Sequence, residues 1–351
     1  MEADKGGQRR TKPAASIKVC LACGASPVLL CCTRCKNLDP EAPFEAPYCN
    51  QECQAKDWKR HKGECKLAVE TARARRKRLN RLLWNASLRG EVPLVQGLIA
   101  QGAEVDWHHA DQNGFTALHA ATQQGKVAVV DALIAAGCQV EAEGSQGIRA
   151  CYIAAELNQV EVLRRLIRAG ADVNRAASHS LGSRPLGVAA AVGNAAVIDC
   201  LLAAGALVDA RCSDGGTALV AGSQEGKLEA VRSLIRGGAN VNLISISPIG
   251  YSVTALMQAS KYNHPSVVET LLEAGADANF ASPESGGTAL MLACYHSSEG
   301  CVRTLLAGGA DPRMVSHEGH TALGFAKHKN HPAIAALIEA KLRELSVGGG
   351  A

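Results

Sequence analysis

Aromatic residues make up only 3% of this 351-residue chain. So thin a supply excludes a core of stacked rings and leaves Ala, Leu, Val and Ile to fill the interior. Small side chains of that kind suit closely packed short helices better than a sheet sandwich. No run of about 18 apolar residues occurs, so a membrane-spanning helix is not expected. The opening stretch, MEADKGGQRRTKPAAS, lacks the apolar segment of a secretory signal and reads as a disordered tail over 1–17. A reducing compartment, cytoplasm or nucleus, is therefore expected, where clustered thiols more often hold metal than form disulfides. A phosphate-cradling glycine loop, a nucleophile elbow and an open catalytic metal site are also missing, and no enzyme is expected.

What is present divides in two. Residues 1–78 hold 17 Lys and Arg against 9 Asp and Glu, whereas the remainder holds 20 against 24. A basic head thus precedes a mildly acidic body. The head also concentrates thiols in pairs, Cys20/Cys23, Cys32/Cys35 and Cys49/Cys53, followed by His61/Cys65. Tetrahedral zinc takes four soft or borderline donors, and a short gap lets one turn present two of them to one ion. Eight donors make two closed sites without an open position for water, which is structural rather than catalytic chemistry. Cys31 competes with Cys32, but Cys32 gives the two-residue gap to Cys35 and is assigned, leaving Cys31 spare. Paired spacing argues against scattered core cysteines, and no third group is visible to orient a catalytic Cys/His pair.

The arrangement Cys-x2-Cys, Cys-x2-Cys, Tyr-Cys-x3-Cys, then QAKDW and His-x3-Cys, resembles a MYND-type zinc finger, here over 18–66. The resemblance implies two interleaved Zn2+ ions. One would take Cys20, Cys23, Cys49 and Cys53, the other Cys32, Cys35, His61 and Cys65. It further implies that Gln54 and Trp58 line a groove for proline-rich peptides, which arrive preformed in an extended helix. The bland reading of Trp58 is packing over the zinc sites. The link KNLDPEAPFEAP between Cys35 and Cys49 is longer than the family pattern and is expected to be a loop.

Helix formers over 67–83 predict a basic helical linker. Within it RARRKR (Arg73–Arg78) is either a nucleic-acid or import patch or a solvated helix face. Beyond it the chain repeats itself. TALHAA (Thr116), RACYIAA (Arg149), RPLGVAA (Arg184), TALVAG (Thr217), TALMQA (Thr254), TALMLA (Thr288) and TALGFA (Thr321) follow at steps of 33, 35, 33, 37, 34 and 33 residues. In the first six, a glycine comes 21 residues after the unit's start, from Gly137 to Gly309, and Gly102 marks a partial unit before them. The period and the worn T-P-L-H-x-A signature resemble the ankyrin repeat. The resemblance implies a mostly α fold, an ankyrin-repeat α-solenoid of about seven units plus caps over 84–342, with a flexible tail over 343–351. In that family the Thr and His hydrogen-bond the turn before the first helix, so the units beginning at Arg149 and Arg184 are expected to be less stable.

Stretches such as VAVVDALIAAG place apolar residues at i, i+3, i+4 and i+7, burying one helix face. All length variation falls between the glycine and the next unit, which puts insertions on one face of the stack, often the binding face. The longest such segment contains LISISPIGYSV (Leu243–Val253), where Ile249 and Tyr251 are the candidate partner contacts. Six body cysteines show no paired spacing and read as small core residues, and Cys294 with His296 reads as two faces of one helix rather than a catalytic pair. The function expected is a non-enzymatic adaptor whose partners are proteins. The alternatives are a nucleic-acid-associated or transcriptional regulator using the basic head, or a non-catalytic enzyme subunit. Nucleic acid is disfavoured because the basic residues are not interleaved with aromatics, and no membrane partner is expected.

Overall fold

The computed structural model describes residues 58–178, 182–246 and 250–348, with side chains from 70 to 346. The chain divides into two compact units, Met1–Arg81 and Leu82–Ala351. Helix α1 runs over Trp58–Arg89 and contains the whole stretch read as a linker. Arg73, Arg75, Lys77 and Arg78 are exposed along it.

The second unit is a stack of helix pairs. After α2 (Val92–Ala100), the first helices of successive repeats are α3 (Ala117–Gln123), α5 (Ala150–Glu156), α7 (Pro185–Val192), α9 (Ala218–Gln224), α11 (Ala255–Lys261), α13 (Ala289–Tyr295) and α15 (Ala322–His328). Their partners are α4 (Val127–Ala135), α6 (Val160–Arg168), α8 (Ala195–Ala203), α10 (Leu228–Arg236), α12 (Pro265–Glu273), α14 (Glu299–Ala307) and α16 (Pro332–Gly348). Each first helix packs against the first helices on either side and against its own partner, and second helices pack likewise.

Helices of seven to nine residues are too short to persist alone in water, so packing must hold them. The first helices are Ala-rich because they are covered on several sides, and Ala117 through Thr122 are all buried in α3. The second helices bury one stripe, such as Val162, Leu163 and Leu166 in α6. Their other face carries exposed ion pairs, including Arg165–Glu161 at 3.1 Å and Arg303–Glu299 at 2.7 Å.

The repeat markers have clear physical jobs. Thr217, Thr254 and Thr288 are N-caps whose hydroxyls each accept the N–H three residues on at 3.3 Å. The seven glycines from Gly102 to Gly309 that end the second helices have φ between +80° and +91°. At Gly137, Gly170, Gly205, Gly238, Gly275 and Gly309 nothing lies within 4 Å of where a Cβ would sit, so the left-handed backbone, not crowding, selects glycine there.

Four residues beyond the first six of these seven glycines, Gly102 to Gly275, sits a carboxylate or amide that ties one repeat to the next. Asn242 accepts from the Asp277 N–H at 2.8 Å and donates to the Gly275 carbonyl at 3.0 Å. Asn279 does the same toward Asp311 and Gly309 at 2.7 and 3.2 Å. Asn174 does so toward Leu207 and Gly205, while Asp106, Glu141 and Asp209 accept from Gln139, Asp172 and Asn240. The ladder ends at Arg313, which turns back to Asp311.

Two expectations need comment. Helix α16 continues to Gly348, into the stretch read as a tail over 343–351. AKLREL is rich in strong helix formers, and Lys341 pairs with Glu344 at 3.0 Å one turn on. The units beginning at Arg149 and Arg184 do lack the threonine cap, but the arginines make other bonds. Arg149 is buried, pairs with Glu141 at 3.4 Å and with Glu143, and donates to the carbonyls of Gly147 and Ala176 at 3.2 and 3.3 Å. Arg184 donates to the carbonyls of Asn174 at 3.1 Å and of Arg211. In place of the missing cap, each guanidinium adds a bond to the loop of the following repeat.

Candidate functional site

The long segment between Gly238 and Thr254 folds into a small hairpin. Strand β1 (Ser245–Ile246) pairs antiparallel with β2 (Ser252–Val253), with Ser245 opposite Val253 and Ile246 opposite Ser252. Alternation along a strand sends successive side chains to opposite faces. Ser245 is accordingly buried at 1% exposure while Ile246 is 54% exposed. Tyr251 is exposed as well. Ile249 lies outside the described residues.

The base of this hairpin is held from both neighbours. Glu284, from the following finger segment, accepts the Ser252 N–H at 3.0 Å and the Ser252 hydroxyl at 2.7 Å, and also the Ser282 hydroxyl at 2.6 Å. These bonds, that from Ser282 first, pull the Glu284 carboxyl down to about 2. On the other side, a Cβ at Gly215 would lie 2.9 Å from the Ile246 carbonyl, so a glycine there admits the strand.

The exposed large apolar side chains among the described residues of the complete repeats lie off the second helices. Leu157, Val192, Tyr262 and Tyr295 lie at the C-terminal ends of first helices, and Leu207, Ile246, Tyr251 and Val315 lie in finger segments. Apart from these, only Leu82 and Leu94, at the start of the unit, are in the group. The second helices present charge instead.

In the described part of the head, His61 and Cys65 are four residues apart within α1, a spacing at which two positions share one helix face. Trp58 is the first residue of the same helix. Cys20, Cys23, Cys32, Cys35, Cys49, Cys53 and Gln54 lie outside the described residues. Seven thiols and one imidazole are a donor set suited to zinc. Among the described residues no cluster of three or more His, Cys, Asp or Glu that would suit a metal occurs.

The body's thiols fit a packing role. Cys138, Cys151, Cys294 and Cys301 are buried, Cys200 and Cys212 half-buried, and all six are free. Burial pushes the Cys151 and Cys294 thiols up to about 12, which withholds the thiolate a nucleophile needs. Cys294 faces the core while Tyr295 and His296 are exposed, so the pair does not meet as a catalytic couple.

Sequence reasoning missed Ile246, Glu284 and the inter-repeat ladder. The recurrence of Asp, Glu or Asn four residues after six of the seven glycines was the available signal for the ladder. Nothing comparable marked Glu284.

Comparison with known proteins agrees with this anatomy. A family model described as "Ankyrin repeats (3 copies)" matches residues 83–177 and 256–345, more than half of the chain. A model described as "MYND finger" matches residues 20–65. An "Ankyrin repeat and KH domain-containing protein" of Caenorhabditis briggsae is 30% identical over 159 residues, covering 37% of this chain and 6% of that relative. The "Ankyrin repeat and KH domain-containing protein mask-1" of Caenorhabditis elegans is 30% identical over 164 residues, covering 47% of this chain and 6% of its own length. The chain thus spans a small fraction of these relatives. Ankyrin repeats are modules for binding protein partners, and the MYND finger is a zinc-binding domain; the chain belongs to the ankyrin-repeat family and carries a MYND finger at its head.

Proposed function

We propose that this protein is a non-enzymatic adaptor of the cytoplasm or nucleus, in which the ankyrin stack captures a partner protein through its finger segments and first-helix ends. One observation carries the reading. The exposed large apolar side chains of the complete repeats lie in the finger segments and at the first-helix ends, while the second helices present ion pairs. Apolar side chains left exposed on some elements of a stack and kept off the others point to an interaction site. The β1–β2 hairpin is its most prominent part, with Ile246 and Tyr251 outward and its base clamped by Glu284. Ile249 belongs to the same contact. A hairpin held at its base and apolar at its surface loses little conformational freedom on docking.

The head contributes stability and a second binding surface. Two Zn2+ ions are held by Cys20, Cys23, Cys49 and Cys53 and by Cys32, Cys35, His61 and Cys65. Both sites are closed, so zinc supplies folding energy and no activated water. Gln54 and Trp58 receive a proline-rich peptide, with the indole as platform.

The test uses a photo-crosslinking amino acid placed at Tyr251, and separately at Arg232 on the second-helix face. Cross-linked proteins enriched at Tyr251 over Arg232 support the reading. Equal recovery at both positions refutes it.

A further inference from the structure

We propose that the first-helix ends of the last three repeats form a docking strip for an extended acidic segment of a partner protein. The inference rests on the reading of the stack as protein-binding and gives the chemistry of what it binds. Seven and eight residues after the start of each unit, the last three repeats carry Lys261 and Tyr262, Tyr295 and His296, His328 and Lys329. The four preceding repeats hold Gln123 and Gln124, Glu156 and Leu157, Ala191 and Val192, Gln224 and Glu225 at the same positions. Helices α11, α13 and α15 contain no Asp or Glu. A basic and aromatic strip therefore stands on a body that otherwise carries an acidic excess.

Its geometry is ordered. The Lys329 ammonium sits 4.0 Å from the Tyr295 ring centre, and that of Lys261 5.0 Å from the Tyr262 ring centre. Tyr295 stands edge-on to Phe325 at 5.8 Å and to His296 at 5.0 Å, and His320 lies 5.3 Å from Phe325. Rings and cations thus alternate across three successive repeats.

The nearby cations differ in their partners. Lys327 is bound to Glu339 at 2.8 Å, and His320 faces Glu318 at 3.6 Å. Neither Lys261 nor Lys329 has a carboxylate within 4.0 Å among the described residues. Their charges also act on His296 of the repeat between them, whose pKa is lowered first by partial desolvation of its ring and then by the two ammonium groups. The helix dipole favours a cation at each helix end, but it asks for no ring beside the cation and does not account for two ammonium groups left without a counter-ion.

Charge complementarity selects the occupant. Carboxylates would meet Lys261 and Lys329, and the aliphatic parts of the same segment would cover the tyrosine rings. The two lysines are two interhelix spacings apart, roughly 8–10 Å each. An extended segment of about six residues covers that span at ~3.3 Å per residue.

Random peptides displayed on phage, selected against the full zinc-loaded chain, provide the test. Enriched peptides are made synthetically and titrated against wild type, K261Q/K329Q and the control R232Q. Circular dichroism checks that both variants remain folded, since Arg232 is exposed and Lys261 and Lys329 are half-buried. The expected result is Asp/Glu-rich peptides that bind K261Q/K329Q about tenfold more weakly (~1.4 kcal/mol), bind R232Q as wild type, and weaken as salt is added. Peptides that are not acidic, or that bind K261Q/K329Q as tightly as wild type, overturn the strip while leaving the stack a peptide binder. Failure to enrich any peptide overturns the strip and the protein-binding reading together.

Discussion

His119 should make the stability of the first complete repeat depend on pH. It is the one signature histidine retained among the seven unit starts, and it is fully buried. Its Nδ1 accepts the Thr116 N–H at 3.1 Å and the Thr116 hydroxyl at 2.8 Å, while Nε2 donates to the Ile148 carbonyl at 3.1 Å. A proton on Nδ1 would oppose the Thr116 N–H, which can only donate. Burial is the main reason its pKa is lowered from 6.5 to about 4.

The sign follows from linkage. Above pH 6.5 the ring is neutral in both states and its contribution is complete. As pH falls through that value the unfolded chain takes up the proton first, so stability drops by about 1.4 kcal/mol per pH unit. The loss levels off near pH 4, where the folded ring is protonated too, at a total of ~3 kcal/mol. Urea unfolding across this range, compared with His119→Gln, isolates the residue from the other histidines. The stability gap between wild type and variant should shrink steadily as pH falls from 6.5 toward 4. A gap independent of pH would refute the reasoning.

Glycine substitutions should act with opposite signs. Gly238→Ala forces a side chain into φ +87° and should cost about 1–2 kcal/mol, whereas Gly97→Ala, inside α2 with open space around it, should stabilise by about 0.5–1 kcal/mol; urea midpoints report both. Glu284→Gln should lower the melting temperature at neutral pH. That difference should fade as pH falls from 4.5 to about 2, because a carboxylate with a depressed pKa contributes above its unfolded value and is lost on acidification. Elemental analysis of the full chain should find two zinc ions, and Cys49→Ser should lose one. Chelation should leave most of the helical signal, because the stack has a core of its own, whereas the head relies on roughly 10–16 kcal/mol of apparent zinc binding. Gln54→Ala should keep both ions yet weaken titration by proline-rich peptides.

Much of the architecture was legible because repetition amplifies weak signals. One unit start or one glycine proves little, but seven at near-constant spacing locate every helix pair, and the caps at Thr217, Thr254 and Thr288 behave as the pattern implies. What escaped was chemistry that crosses repeats. Arg149 and Arg184 look like defects within their own turns, and their compensating partners, Ala176 and Arg211, are 27 residues away. The ladder residues Asn174, Asn242 and Asn279 pass for ordinary turn formers until their partners in the next repeat are seen. The hairpin has two residues per strand, too few for alternation to announce it. Tyr251 could be picked from loop length, but the outward turn of Ile246 depends on the register between Ser245 and Val253.

The central claim is that the hairpin side of the stack captures a protein. Its most direct test takes the partner cross-linked at Tyr251 and measures its affinity by calorimetry for wild type and for a chain in which residues 246–251 are replaced by a tight Asn-Gly turn. The account predicts a loss of about tenfold or more (~1.4 kcal/mol), with zinc content and helical signal unchanged. Equal affinity in the two chains would contradict it.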